Sequence, residues 1–217
     1  MFAEHGIIPS MRDTIFSNCK EVIAESGEIV LDSVLEDGVL KSIPIVGTIT
    51  AICKTGINLR ERHFIKETFA FVDAFNNGTI TSEKLQAYRQ LLEEDPQRAE
   101  QELEHIVLLL TSHLNTAQSK RLGAFYRHYV KGSINWSKFI ELSEANSRLF
   151  EADFDLLKRI NEETQVKNPY QAERLLALGL VKRVATTFTE GTLIVHDDLF
   201  SLSPFGKTFT QRCTIDE

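Results

Sequence analysis

The strongest constraint in this sequence is its helical apolar period, which runs almost unbroken for about 165 residues. Apolar side chains recur at three-, four- and seven-residue spacings, the signature of one buried helix face. Strand-like alternation is scarce until the last quarter. Only 5 prolines and 11 glycines occur in 217 residues, and most of them read as punctuation between helices. Such a pattern excludes β-sandwiches and parallel sheets for most of the chain and implies packed helices.

The punctuation gives an element plan. Ser10 is placed to cap a first helix ending near Gly27, and Asp37-Gly38 ends a second. Pro44 opens a run to Asn76 through Ile45, Ile49, Ile52, Phe64, Phe71 and Phe75, with a break expected near Gly56. Asn76-Asn77-Gly78 is a stop, read as a glycine in the left-handed conformation. A helix over about 82–94 follows. Asp95-Pro96 is a cap with proline at the first helical position. Leu103, Ile106, Val107, Leu110 and Leu114 mark the next helix. Leu122, Phe125, Tyr126 and Tyr129 mark another, ended at Lys131-Gly132. A further helix starts at Ser133 or Asn135 and carries Trp136, Phe139, Ile140, Leu149, Phe150, Leu157 and Ile160.

The pattern changes after about Thr164. Asn168-Pro169 opens a short helix ending at Ala177-Leu178-Gly179. Leu180–Phe188 is rich in β-branched residues, Glu190-Gly191 is a turn, and Thr192–Val195 is a second strand. Leu199–Ser203 is a third strand candidate before a last helix from Pro204. The expected architecture is mainly α: an all-α helical bundle over 1–150 and a small α+β module over 151–217.

Glu173-Arg-Leu-Leu-Ala-Leu-Gly-Leu-Val-Lys-Arg, followed by Phe200-Ser-Leu-Ser-Pro-Phe-Gly-Lys-Thr-Phe, resembles a winged-helix module. It looks closest to the tails of Abi-alpha-type proteins carried by prophages and mobile elements, some of them associated with abortive phage infection. Arg121–Val130, with Ile134–Phe139 and Asp153–Leu157, is similar to a widespread group of uncharacterised bacterial helical proteins. These resemblances imply a bacterial or prophage protein, with a role in phage defence or superinfection control.

Charge and cysteine content limit function. The formal charge is −7, with 31 acidic against 24 basic residues, which disfavours nucleic-acid binding over the whole surface. Cys19, Cys53 and Cys213 are odd in number and widely spaced, so a disulfide framework is not expected; reduced thiols fit a cytoplasmic protein. The start of the chain lacks a basic n-region and a long apolar core, so no signal peptide is expected. The longest charge-free stretches, Ser42–Cys53 and His105–Ser119, are shorter than the ~20 residues of a membrane-spanning helix.

Four motif readings follow. Asn77-Gly-Thr-Ile and Lys131-Gly-Ser-Ile echo the centre of a calcium loop. The two registers place Lys84 and Lys138 where a bidentate glutamate belongs, so calcium is not expected. Arg121/His128 and Arg98/His105 have the Arg–His spacing of helical ribonucleases of the HEPN type. Arg121/His128 is the better pair, having Lys120 and Arg127 beside it, and its alternative is a solvated basic face. His63 and Glu67 lie four apart with no visible third metal ligand, and His196-Asp197-Asp198 fits a solvated turn. Gln171, Arg174, Lys182 and Arg183 are the side chains a winged helix would use on DNA, yet residues 151–217 carry 8 basic and 11 acidic groups.

Val39–Ile57 is apolar, rich in small residues and flanked by Lys41, Lys54, Arg60 and Arg62. Ile45, Ile49 and Ile52 are its candidate membrane-surface or self-association residues, against a buried central helix. No cofactor or metal is expected, and neither a P-loop nor a nucleophile elbow occurs. Three functions stay open: a non-enzymatic interaction protein that binds a partner or itself, a HEPN-like ribonuclease using Arg121 and His128, and a DNA-binding regulator.

Overall fold

A computed structural model describes residues 4–16, 40–53, 56–162, 169–189 and 192–213. Its elements in chain order are α1 (Glu4–Phe16), a 3-10 turn (Leu40–Ser42), α2 (Pro44–Ile52), α3 (Leu59–Asn76), α4 (Ser82–Glu94), α5 (Pro96–Ser112), α6 (Thr116–Val130), α7 (Trp136–Ser147), α8 (Glu151–Glu162), α9 (Pro169–Ala177), β1 (Val181–Thr189), β2 (Thr192–Leu202) and α10 (Pro204–Cys213). The chain is mainly helical, with a small antiparallel sheet near its C-terminal end. It divides into two compact units between Ser143 and Glu144, inside α7. No described helix is long and apolar enough to cross a membrane.

The first unit is built around α3 and α6. Glu67 lies against Ser119, Phe71 against Gly123, and Ala74 against Arg127, so the two helices run parallel. A Cβ on Gly123 would sit 2.3 Å from the Phe71 carbonyl oxygen, so glycine sets how closely the helices approach. Every residue from Arg121 to Val130 is buried, which makes α6 the central helix. Its rings pack with Phe71, Phe75 and Phe139, and Tyr129 packs on Trp136.

Helix α1 starts upstream of Ser10 and has Pro9 inside it, so Ser10 is not a cap. Its hydroxyl donates to the Gly6 carbonyl and meets Thr48 Oγ1 at 2.5 Å, joining α1 to α2. Ile43, at the start of α2, has no capping side chain of its own. Thr14 of α1 does that work, accepting a hydrogen bond from the Ile45 N–H at 3.0 Å. The second helix expected to end at Asp37-Gly38 lies outside the described residues, as do Cys19 and Lys54.

The expected break near Gly56 is present, with φ of 107° at that glycine. Asn58 and Glu61 then form a reciprocal capping box at the start of α3. Gly78 has a different role from the one expected. It is not left-handed; a Cβ there would lie 2.8 Å from the Arg127 guanidinium carbon. Space, not φ, requires glycine. Gly132 is left-handed, at φ 74°, and closes α6: Ser133 N–H bonds the His128 carbonyl and Gly132 N–H bonds that of Tyr129. The predicted helix through residue 160 is broken. It stops at Ser147, and α8 starts after Phe150, whose N–H bonds the Asp153 carboxylate.

In the second unit, β1 and β2 pair antiparallel, with Val181 opposite Leu202 and Thr189 opposite Thr192. The two expected strands over 192–203 are one continuous strand, with pairing irregularities on either side of Ala185. Phe154, Leu157, Leu175, Val181, Phe200 and Phe209 form the core. Gly179, at φ 71°, ends α9 as Gly132 ends α6. Ser203 explains the Leu-Ser-Pro-Phe-Gly sequence. Its hydroxyl donates to the Gly179 carbonyl at 2.5 Å and accepts from the Gly206 N–H at 2.9 Å. Gly206 itself abuts the Leu180 carbonyl, 1.8 Å from where a Cβ would stand.

Candidate functional site

Two networks of ionisable side chains lie inside the first unit. One joins α3, α5 and α6. Ser119 Oγ donates to Glu67 Oε2 at 2.6 Å and lies 2.8 Å from His113 Nδ1, which serves as the donor of that pair. The His113 Nε2 is buried and makes no hydrogen bond among the described residues. His63 Nε2 donates to the His113 carbonyl at 2.7 Å, and His63 Nδ1 faces Glu67 Oε1 at 3.8 Å.

Glu67, Ser119 and His113 are almost wholly buried. Burial raises the Glu67 carboxyl above its ordinary value, against the opposing pull of the Ser119 hydrogen bond and the charges of His63 and Lys66. Burial, with the nearby positive charges of Arg121 and His63, pushes His113 down to about 4. The imidazole is neutral at pH 7, consistent with its bare Nε2.

This is a Ser–His–Glu grouping with the wrong connectivity for nucleophilic catalysis. The serine proton points at the carboxylate, whereas an activated serine gives its proton to histidine. The serine is also fully buried, away from any substrate. The arrangement ties α3, α6 and the end of α5 together. His63/Glu67 was visible in the sequence as an i,i+4 pair. Ser119 and His113 were not, because only the fold brings α3 and the α5–α6 turn together.

The second network centres on Glu102. Tyr129 donates to Oε1 at 2.5 Å, Arg98 Nε donates to the same oxygen at 2.8 Å, and Tyr88 donates to Oε2. Arg98 also donates to Tyr129, and Tyr126 lies 2.7 Å from Tyr88. Burial raises all three phenols, Tyr129 to about 12, so each stays protonated and donates. Arg98 therefore works here with Glu102, while His105 packs edge-on against Trp136 and Phe139.

The other sequence candidates are placed as follows. Arg121 and His128 are buried, and so is Arg127 between them, so α6 presents neither an open Arg–His pair nor a solvated basic face. His128 Nδ1 meets Ser133 Oγ at 3.0 Å. Arg127 Nη1 donates to the carbonyls of Ala74 and Asn77, both at 2.6 Å, closing the end of α3. The two echo loops do meet: Lys84 Nζ donates to the Lys131 carbonyl at 2.5 Å, a lysine contact and not a calcium ligand. No cluster of three or more His, Cys, Asp or Glu able to hold a metal occurs among the described residues. His196, Asp197 and Asp198 fall within β2, not at its turn.

Ile45 and Ile49 are buried in the core, and Ile52 is partly exposed. The three do not form one exposed stripe, because α2 turns its apolar face toward α1. In the second unit, Arg174 grips the buried Asp153 with two hydrogen bonds, at 3.0 and 2.5 Å. Its guanidinium lies 4.6 Å from the Tyr170 ring centroid and 5.2 Å from that of Phe150, both exposed. Arg183 pairs with Glu173 at 2.6 Å, Lys182 is exposed and Gln171 is half-buried. Comparison with protein-family models, with curated proteins and with solved structures gave no match.

Proposed function

We propose that this chain acts by binding another protein, through an exposed surface of its second unit. One observation carries the reading: Arg174 is fixed between the exposed rings of Phe150 and Tyr170, with Asp153 holding its far side. Tyrosine and arginine dominate protein-interface hot spots, and a side chain already fixed loses little entropy on docking. The order α9–β1–β2–α10 and the Ser203 turn fit a winged-helix-like module used for protein contact. The DNA reading is weaker, since carboxylates answer Arg174 and Arg183. The ribonuclease reading is weaker because Arg121 and His128 are enclosed. The tail's resemblance to Abi-alpha-type proteins supports a bacterial or prophage setting in phage defence or superinfection control.

The test is affinity capture with mass spectrometry on wild type and on the double variant Phe150→Ser/Tyr170→Ala, in cells with and without phage. A partner retained by wild type and lost by the variant supports the proposal. A partner retained equally by both overturns the surface named here. Tight, salt-sensitive DNA binding in a mobility-shift assay would replace it with the regulator reading.

A further inference from the structure

The first unit carries a second exposed surface, at the end where α2 stops and α3 and α6 begin. Leu59, the first residue of α3, is 84% exposed, and Leu114, in the turn between α5 and α6, is 80% exposed. The hydrogen bond from His63 to the His113 carbonyl ties these two sites together. Ile52, at the last position of α2, is 40% exposed and lies seven residues before Leu59 in the chain. Exposed leucines at the tips of turns are costly in water unless something covers them.

Charge says what would cover them. The chain as a whole is acidic, at −7. Yet residues 40–53, 56–66 and 105–121 hold one carboxylate, Glu61, against the cations Lys41, Arg60, Arg62, Lys66 and Lys120, with Arg121 buried. Glu61, half-buried, is engaged in the capping box of α3, its carboxylate accepting from the Asn58 N–H at 2.7 Å. Arg60 is exposed in the first turn of α3, Lys66 is exposed six residues further along it, and Lys120 is exposed in the second turn of α6. Apolar tips ringed by cations complement a layer that is anionic at its surface and hydrocarbon beneath. A nucleic acid would use the cations but gain nothing from aliphatic leucines.

We infer that this end of the helical unit docks on anionic lipid membrane, with Leu59 and Leu114 entering the headgroup–acyl boundary and Arg60, Lys66 and Lys120 meeting lipid phosphates. The contact is peripheral. It differs from the amphipathic-helix reading of Val39–Ile57, since the buried Ile45 and Ile49 take no part. It is also independent of the second-unit protein contact.

Vesicle co-sedimentation of the full chain tests it, with phosphatidylglycerol vesicles against phosphatidylcholine vesicles. Wild type is expected to sediment with the anionic vesicles and to be released by salt. Leu59→Glu/Leu114→Glu should weaken binding by roughly tenfold or more, since each leucine loses its burial. Lys66→Glu and Lys120→Glu should each cost roughly fivefold or more, the effect of at least one cation near a charged surface. All four positions are exposed, so unchanged circular dichroism and thermal midpoint are expected and checked. Absence of binding to pure phosphatidylglycerol vesicles overturns the inference. So does binding that the leucine variants leave unchanged, and so does preferential retention of RNA that is lost in the lysine variants alone.

Discussion

The two units place their polar side chains differently. In the helical unit, buried Glu67, Glu102 and Arg127 each bridge separate helices: Glu67 to Ser119, Glu102 to Tyr88 and Tyr129, Arg127 to the end of α3. In the second unit, Arg174 and Arg183 stand near the surface, Arg174 reaching in to the buried Asp153 and Arg183 pairing with Glu173 across exposed ground. An internal network gives a helical bundle one register, because each buried group demands its own partner. An exposed pair such as Arg183–Glu173 gives little stability by comparison.

One feature is shared, and it yields the largest expected effect. Gly123 and Gly206 are helical, where glycine to alanine ordinarily stabilises by about 1 kcal/mol. Here both face a carbonyl oxygen at sub-contact distance. Gly123→Ala and Gly206→Ala are each expected to destabilise by about 3 kcal/mol or more, read by urea denaturation. A gain in stability at either position would mean that the neighbouring carbonyl yields there without cost.

The next effect separates the units. Glu102→Ala removes the acceptor of two phenols and a guanidinium, and should cost about 3 kcal/mol. Its counterpart at the surface, Glu173→Ala, should change stability by no more than about 0.5 kcal/mol. Comparable losses for the two substitutions would erase the distinction drawn between internal and surface networks.

A pH titration sharpens the same contrast. His113 is depressed to about 4 in the folded chain from an ordinary value of 6.5. The unfolded chain therefore takes up the proton first as pH falls, and stability present above pH 6.5 is lost on the way to pH 4. Between pH 7 and pH 5 the loss from this residue is about 2 kcal/mol. Glu67 works in the opposite sense: its carboxyl is raised, so its protonation favours the folded state and offsets part of the loss. His113→Asn should flatten the acid slope. An unchanged slope in that variant would assign the acid sensitivity elsewhere.

Much of the element plan was legible because caps and stops are local chemistry. Asp95-Pro96 and Lys131-Gly132 each act through residues within about one turn. What escaped was non-local. No periodicity tells that α6 is buried all round, so Arg121 and His128 read as a pair for catalysis or a basic face when they are enclosed. Leu114 continued an apolar stripe on paper but lies past the end of α5, in solvent. The single strand β2 read as two because charged His196–Asp198 interrupts its apolar residues. Of the polar networks, only the pairs on one helix, His63/Glu67 and Arg98/Glu102, have spacings that sequence alone can offer.

The parallel course of α3 and α6 has a consequence for how the molecule forms. Parallel neighbours cannot be joined by a tight turn, and here all of α4 and α5 intervenes. The Gly123 contact and the Arg127 clamp therefore close only after that excursion has paid its loop entropy. Folding should be slower than that of an up-and-down bundle of equal size. The amides of α3 and α6 should exchange last with solvent deuterium, because no local opening frees them without undoing the helices between.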